Sequence, residues 1–235
     1  MTSCGLILEG MTALRCFTMC IILSCQLGCA TWKSARPLSP SEHQVNATVF
    51  GPVLDLGGAP IPLPTVSLEG RHGLERVLSR ELEIHYGMQL TGLAFGIAQM
   101  HVGASWLLLR QRGAIPALTL VDRIHFGANL FGRTDKSQSD LQAWGVNETE
   151  LVASWSLAKQ HLIYVSLGQA TDFSSPQLVL SPGLGVQLDL GEVGGLLLQV
   201  EMTWWGANVD KRSTAVRWFS GQGALGVNVG VGYGF

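Results

Sequence analysis

The chain is short of charge. Of its 235 residues only 14% are Asp, Glu, Lys or Arg, against about 25% in an ordinary soluble domain. The lysines are Lys33, Lys136, Lys159 and Lys211 alone. The net charge of −2 and the lack of any basic run exclude the electrostatic footprint of a nucleic-acid binder. Cysteine stops at Cys29, which excludes a disulfide framework for everything after it. No continuous apolar run reaches the roughly 18 residues that a membrane-spanning helix requires. Yet 47% of the residues are hydrophobic and 29 are glycine. A chain that is apolar in total but never apolar for long spreads its apolar residues at a short period.

That period is plainest at the end of the chain. From Gly221 to Phe235 the odd positions are Leu225, Val227, Val229, Val231, Tyr233 and Phe235. The even positions are Gln222, Ala224, Gly226, Asn228, Gly230, Gly232 and Gly234. Strict alternation predicts one strand with an aliphatic face and a small, weakly polar face. The pattern resembles the closing strand of bacterial outer-membrane β-barrels. That resemblance implies that Tyr233 and Phe235 are an assembly signal and that the partners are the barrel-assembly machinery and outer-membrane lipid.

The same alternation recurs upstream. Apolar positions at Leu82, Ile84, Tyr86 and Met88 face Glu83, His85 and Gly87, and Met100, Val102 and Ala104 face His101 and Gly103. Similar segments follow at 117–131, 151–157, 163–167, 178–188 and 196–204, and earlier ones at 48–56 and 65–74. The count is ten strands, or eight if the region before Thr65 stands apart. Short connections alternate with longer polar ones at 132–148, 171–177 and 207–220, as in an up-and-down membrane barrel. The apolar stretch Thr91–Ala98 fits neither kind of connection. The expected fold is an all-β, closed antiparallel transmembrane barrel over 48–235.

The first 29 residues have the marks of an export leader. Arg15 precedes the apolar run Cys16–Leu23, too short to span a membrane. Ile22-Leu23-Ser24-Cys25 resembles a lipoprotein box, with Gln26-Leu27-Gly28-Cys29 as the second choice. Cys25 or Cys29 is therefore the expected lipidation site. Residues 30–47, polar and broken by Pro37 and Pro40, are expected as a linker.

Alternation alone does not say which face is outside. A soluble ligand-binding barrel has the same period with its apolar side chains inward. Two observations favour the apolar face outward. Every lysine falls in the expected linker, a turn or a loop, and the polar strand face is mostly Gly, Ser, Thr, Gln and Asn. The few charged strand residues then meet in the lumen: Glu69, Arg71, Glu83, His85, His101, Arg123, His125, Gln199 and Glu201. Pairing across the first turn is expected to set Arg71 opposite Glu83 and Glu69 opposite His85. Pairing near Gly113 sets His101 opposite His125, with Arg123 two residues along. Buried charges persist only when paired, so the set is expected to form a polar plug.

No cofactor or metal is expected, because His101 and His125 lack an evident third ligand. The functional expectation is a non-enzymatic outer-membrane barrel, structural, surface-exposed or a narrow small-solute conduit, with any small-molecule ligand unknown. The alternatives are an outer-membrane lipid-modifying enzyme using the histidines and a lipid-anchored soluble barrel holding an apolar ligand.

Overall fold

Ten long antiparallel strands close on themselves into a barrel. The computed structural model describes residues 31–235 except for 57–58, 63, 78–79, 131–142, 159–160, 174–177, 192–194 and 211–221. The strands are β1 (His43–Leu56), β2 (Ala59–Pro62), β3 (Thr65–Val77), β4 (Arg80–Gln89), β5 (Ile97–Leu109), β6 (Ala117–Asn129), β7 (Ala143–Ala158), β8 (His161–Asp172), β9 (Val179–Asp189), β10 (Leu196–Asp210) and β11 (Gln222–Gly234). Consecutive ring strands pair antiparallel from β3 to β11, and β1 joins the ends, pairing with β3 on one side and β11 on the other. The seam runs from Gln44↔Gly234 to Pro52↔Gly226. β2 is a short hairpin partner to the far end of β1 and takes no other place in the ring. The ring therefore has ten strands rather than eight.

The period-two pattern decides the faces. Along β11 the side chains of Val227, Val229, Val231 and Tyr233 are exposed, whereas Gly226, Asn228, Gly230 and Gly232 are buried. The same holds around the ring: Val49, Met88, Val102, Phe126, Val165, Leu184 and Met202 are exposed, and polar side chains fill the interior. The molecule is inside-out relative to a soluble barrel. This geometry disfavours the apolar-ligand barrel, whose inner wall must be aliphatic. An exterior of this size left in water would be an aggregation surface.

Several boundaries differ from expectation, for local reasons. β7 starts at Ala143, so Asn147 and Glu148, expected in a loop, belong to the strand. Ala59–Pro62, expected as loop, forms β2. The apolar stretch after β4 makes a single helical turn, α1 (Leu90–Ala94), and Gly96 (φ 74°) then turns the chain into β5. The β3–β4 register is displaced by two residues from the expected one: Arg71 pairs with His85 and Glu69 with Gly87, because Val77 pairs with Arg80 and the ladder is irregular between Leu74 and Val77. The β5–β6 register sets His101 opposite His125, the pairing expected from the sequence.

The stretch expected as a linker divides differently. β1 begins at His43, and residues ahead of it turn back into the barrel. Trp32, Ser34 and Ala35 have no exposed surface. Ala35 packs with Val121, Val152, Leu162 and Tyr164 in a small apolar core inside the barrel wall. Lys33, expected in the linker, lies in the lumen. Lys136, Lys159 and Lys211 lie outside the described residues.

Candidate functional site in the barrel lumen

The lumen is lined by one side chain from every second position of each strand, so its contents follow from register. All nine expected lumen residues, Glu69, Arg71, Glu83, His85, His101, Arg123, His125, Gln199 and Glu201, have buried side chains. They form three connected groups.

The first group anchors the tail where it enters. Arg71 Nε donates to Glu83 Oε1 at 2.9 Å and its Nη2 to Glu83 Oε2 at 2.6 Å. This two-point pairing is the strongest geometry available to a guanidinium and a carboxylate. It forms diagonally, since Arg71 faces His85 in the ladder. Glu83 also accepts from Ser34 Oγ and from the Leu38 backbone amide, each at 2.8 Å. Arg71 donates in addition to Gln44 Oε1 and to the Arg36 carbonyl.

The second group holds the inner end of the tail. Lys33 Nζ binds Glu150 and lies 3.7 Å from Glu201. The Lys33 backbone exchanges two hydrogen bonds of 3.0 Å with the Gln199 amide, whose oxygen accepts and whose nitrogen donates. Arg123 Nη2 donates to the Trp32 carbonyl at 3.1 Å, while its Nη1 lies 3.4 Å from Glu150 and 3.7 Å from Glu148. Tyr164 donates to Glu201 Oε2 at 2.8 Å. The indole of Trp32 rests against the glycines of β11: a Cβ at Gly230 would meet it at 2.9 Å and one at Gly232 at 3.2 Å. The small wall of the closing strand is thus the seat of Trp32.

The third group is a band of histidines. His101 Nε2 is 3.1 Å from Glu69 Oε2, and His125 Nε2 is 3.0 Å from Glu148 Oε2. The rings of His85 and His101 are 6.2 Å apart and those of His101 and His125 are 5.4 Å apart. No nucleophile is held by these histidines as a Ser–His or Cys–His pair among the described residues.

Charge explains why the tail belongs inside. Around the tail the strands set the carboxylates of Glu69, Glu83, Glu148, Glu150 and Glu201 against the guanidiniums of Arg71 and Arg123. The tail adds Lys33 and Arg36, the latter bonded to Ser154 and Gln111. A ring with that excess of acid is costly when empty, and the tail offsets most of it.

Sequence reasoning missed Glu148, Glu150 and the tail. The first two were within reach: running the alternation of Val152 and Ser154 back two and four places puts Glu150 and Glu148 on the lumen face. The tail pairs with no strand, so no periodicity marks it. Cys25 and Cys29 lie outside the described residues. Tyr233 and the terminal Phe235 stack at the barrel rim, with ring centroids 6.3 Å apart, and both are exposed.

No family model matches the chain, and no curated protein matches it. Among solved structures, an outer-membrane channel from Pseudomonas putida aligns at TM-score 0.50 with 9% identity, over 88% of this chain and all of that one. The translocator domain of the autotransporter NalP from Neisseria meningitidis aligns at TM-score 0.43 with 11% identity, over 96% of each chain. The NanC porin aligns at TM-score 0.43 with 8% identity, over 81% of this chain and 98% of that one. The fold is that of a closed antiparallel ten-stranded β-barrel of the outer-membrane type. At these identities the likeness carries the fold alone.

Proposed function

We propose that the protein is a closed, non-catalytic barrel of the bacterial outer membrane, structural or surface-exposed, with a lumen stoppered by its own N-terminal tail. The observation that carries this reading is the seating of residues 31–38 among lumen side chains, with Trp32 and Ser34 fully buried. A ten-stranded barrel has little interior left once side chains fill it. Here a backbone segment occupies part of what remains, so free diffusion of solutes is blocked. The exposed aliphatic belt supports lipid as the surrounding medium. The exposed, stacked rings of Tyr233 and Phe235 beside the barrel seam support delivery by the barrel-assembly machinery.

Export by the leader and lipidation near its end belong to the same reading. Thr31 is tied inside the lumen, where Asn228 Nδ2 donates to its carbonyl at 3.3 Å. A lipidated Cys29 would stand two residues from that bond. Cys25 has six residues, roughly 20 Å when extended, in which to reach lipid, so Cys25 is the favoured acyl carrier. Mass spectrometry of the mature N-terminal peptide decides between them.

The decisive experiment is electrical. Purified protein in a planar bilayer is expected to give no sustained conductance, and a chain refolded from residue 43 onward is expected to open. Steady channels from the intact protein would sink the stoppered reading. The enzymatic alternative falls if His101→Ala and His125→Ala cells keep their outer-membrane lipid profile.

A further inference from the structure

The band of histidines contains buried donor atoms that the lumen's hydrogen bonds leave unused. Glu69 on β3, His85 on β4 and His101 on β5 are all buried, and their donor atoms lie within 4.8 Å of one another. His85 has no exposed surface, and neither of its ring nitrogens has a hydrogen-bond partner among the described residues. The Ala104 backbone lies close by without completing a bond in good geometry. Glu69 Oε1 is likewise without a partner. Two unused imidazole nitrogens and an unused carboxylate oxygen, buried and convergent, are costly unless something binds them.

The ladder shows how the fold makes room for them. Glu69 faces Gly87, and Gly87 in turn faces His101. A Cβ on Gly87 would sit 2.5 Å from His101 Cε1, and a Cβ on Gly103 would sit 2.5 Å from His85 Cε1. Both imidazoles lean over a glycine of the neighbouring strand. Any other residue at either place would push a ring away from the cluster.

We propose that Glu69, His85 and His101 form a divalent transition-metal site inside the barrel, of the type that takes Zn²⁺. Two imidazoles and one carboxylate are a common zinc donor set, with bonds of about 2.0–2.2 Å that place ligand atoms roughly 3.4 Å apart. The His101–Glu69 separation of 3.1 Å is already near that value, and the widest separation in the set must close by ~1.4 Å. Imidazole excludes the all-oxygen preference of Ca²⁺ and Mg²⁺. His125 is a neighbour and not a ligand, because its Nε2 is engaged by Glu148. Arg71 and Arg123, the nearby cations, are already matched to Glu83 and to Glu148 and Glu150. Glu69 meets His101 Nε2 through one oxygen and keeps its other oxygen for a cation. The fourth coordination position falls to water.

The test uses the full chain, refolded with and without Zn²⁺ or Co²⁺, freed of loose ion, and assayed for bound metal. Folding is verified by heat-modifiable gel migration. One ion per folded chain is expected, with a Co²⁺ visible spectrum typical of low coordination number and mixed nitrogen–oxygen ligands. Partners that only orient a ligand are worth 10–100-fold in metal affinity, so Glu69→Gln, His85→Ala and His101→Ala are each expected to lose about a hundredfold or more. His161→Ala, whose ring accepts from the Asp189 amide elsewhere, is expected to retain full binding. The rim pair His43–His72, with ring nitrogens 2.6 Å apart, is the internal competitor. Binding that vanishes in His43→Ala but survives Glu69→Gln overturns the proposal, and so does a folded wild-type chain that takes up no ion. The cobalt spectrum of the unmutated protein keeps the test valid if a variant fails to fold.

Discussion

Lys33 and Glu150 stand 117 positions apart in the chain and meet as an ion pair inside the barrel, with Glu150 wholly buried. One partner is on a strand and the other on a tail that pairs with none. Removing the cation leaves Glu150 with Arg123 at 3.4 Å and leaves Glu201 without its 3.7 Å neighbour. Lys33→Met is therefore expected to cost about 3–5 kcal/mol, the usual penalty for stripping one partner from a buried pair. Urea titration of the folded gel band measures it. Glu150→Gln in the same chain is expected to recover part of the loss, because the stranded charge is then gone. Additive losses would mean that the two groups do not interact.

Glu83 carries two tasks at once, pairing with Arg71 and accepting from the tail at Ser34 and Leu38. Glu83→Gln keeps the shape and removes the charge. It is expected to lower stability by roughly 3–5 kcal/mol and to make the tail more easily cleaved by protease near Pro37 and Pro40. A stability loss with an unaltered cleavage pattern would show that the tail is held by other contacts.

Gly230 and Trp32 define how tightly the tail fits. A side chain at Gly230 meets Thr48 Cγ2 at 2.8 Å and the indole at 2.9 Å, so Gly230→Val overpacks the lumen. The expected cost is about 1–3 kcal/mol. Adding Trp32→Ala, itself a large-to-small change worth roughly 3–5 kcal/mol, is expected to give a double variant better than the sum of the two. Strict additivity in urea melts would place the indole elsewhere.

How far the sequence leads depends on whether an element repeats. Alternation in β11, β4 and β5 carries strand identity, facing and the lumen set, because a period of two has a single geometric meaning. Glu150 was legible by the same rule extended to the start of β7. The β3–β4 register was not, because an irregular ladder near Val77 moves Glu69 from His85 to Gly87 without changing any face. That two-residue shift is also what brings Glu69 beside His101. The metal-ligand set thus depends on a turn geometry that spacing cannot supply. The tail is illegible for a different reason: it follows no period, and only the surplus of lumen acid hints that a cation must come from outside the strands.

The exterior gives the sharpest test of the membrane reading. Val229 is exposed near the middle of β11, and its immediate neighbours Asn228 and Gly230 are buried. A charge at a lipid-facing position near the bilayer midplane costs ~2–4 kcal/mol for Arg, whereas the same charge on a water-facing surface costs almost nothing. Val229→Arg is expected to fold poorly into phospholipid vesicles and to lose that amount in urea titrations. Val45, also exposed but closer to the rim where β1 begins, is expected to tolerate Arg with a loss of ~0–1 kcal/mol. The gradient between the two sites carries the argument, since it follows depth in lipid and not packing against protein. Equal tolerance at both positions would mean that this face meets water, and the outer-membrane reading would fall with it.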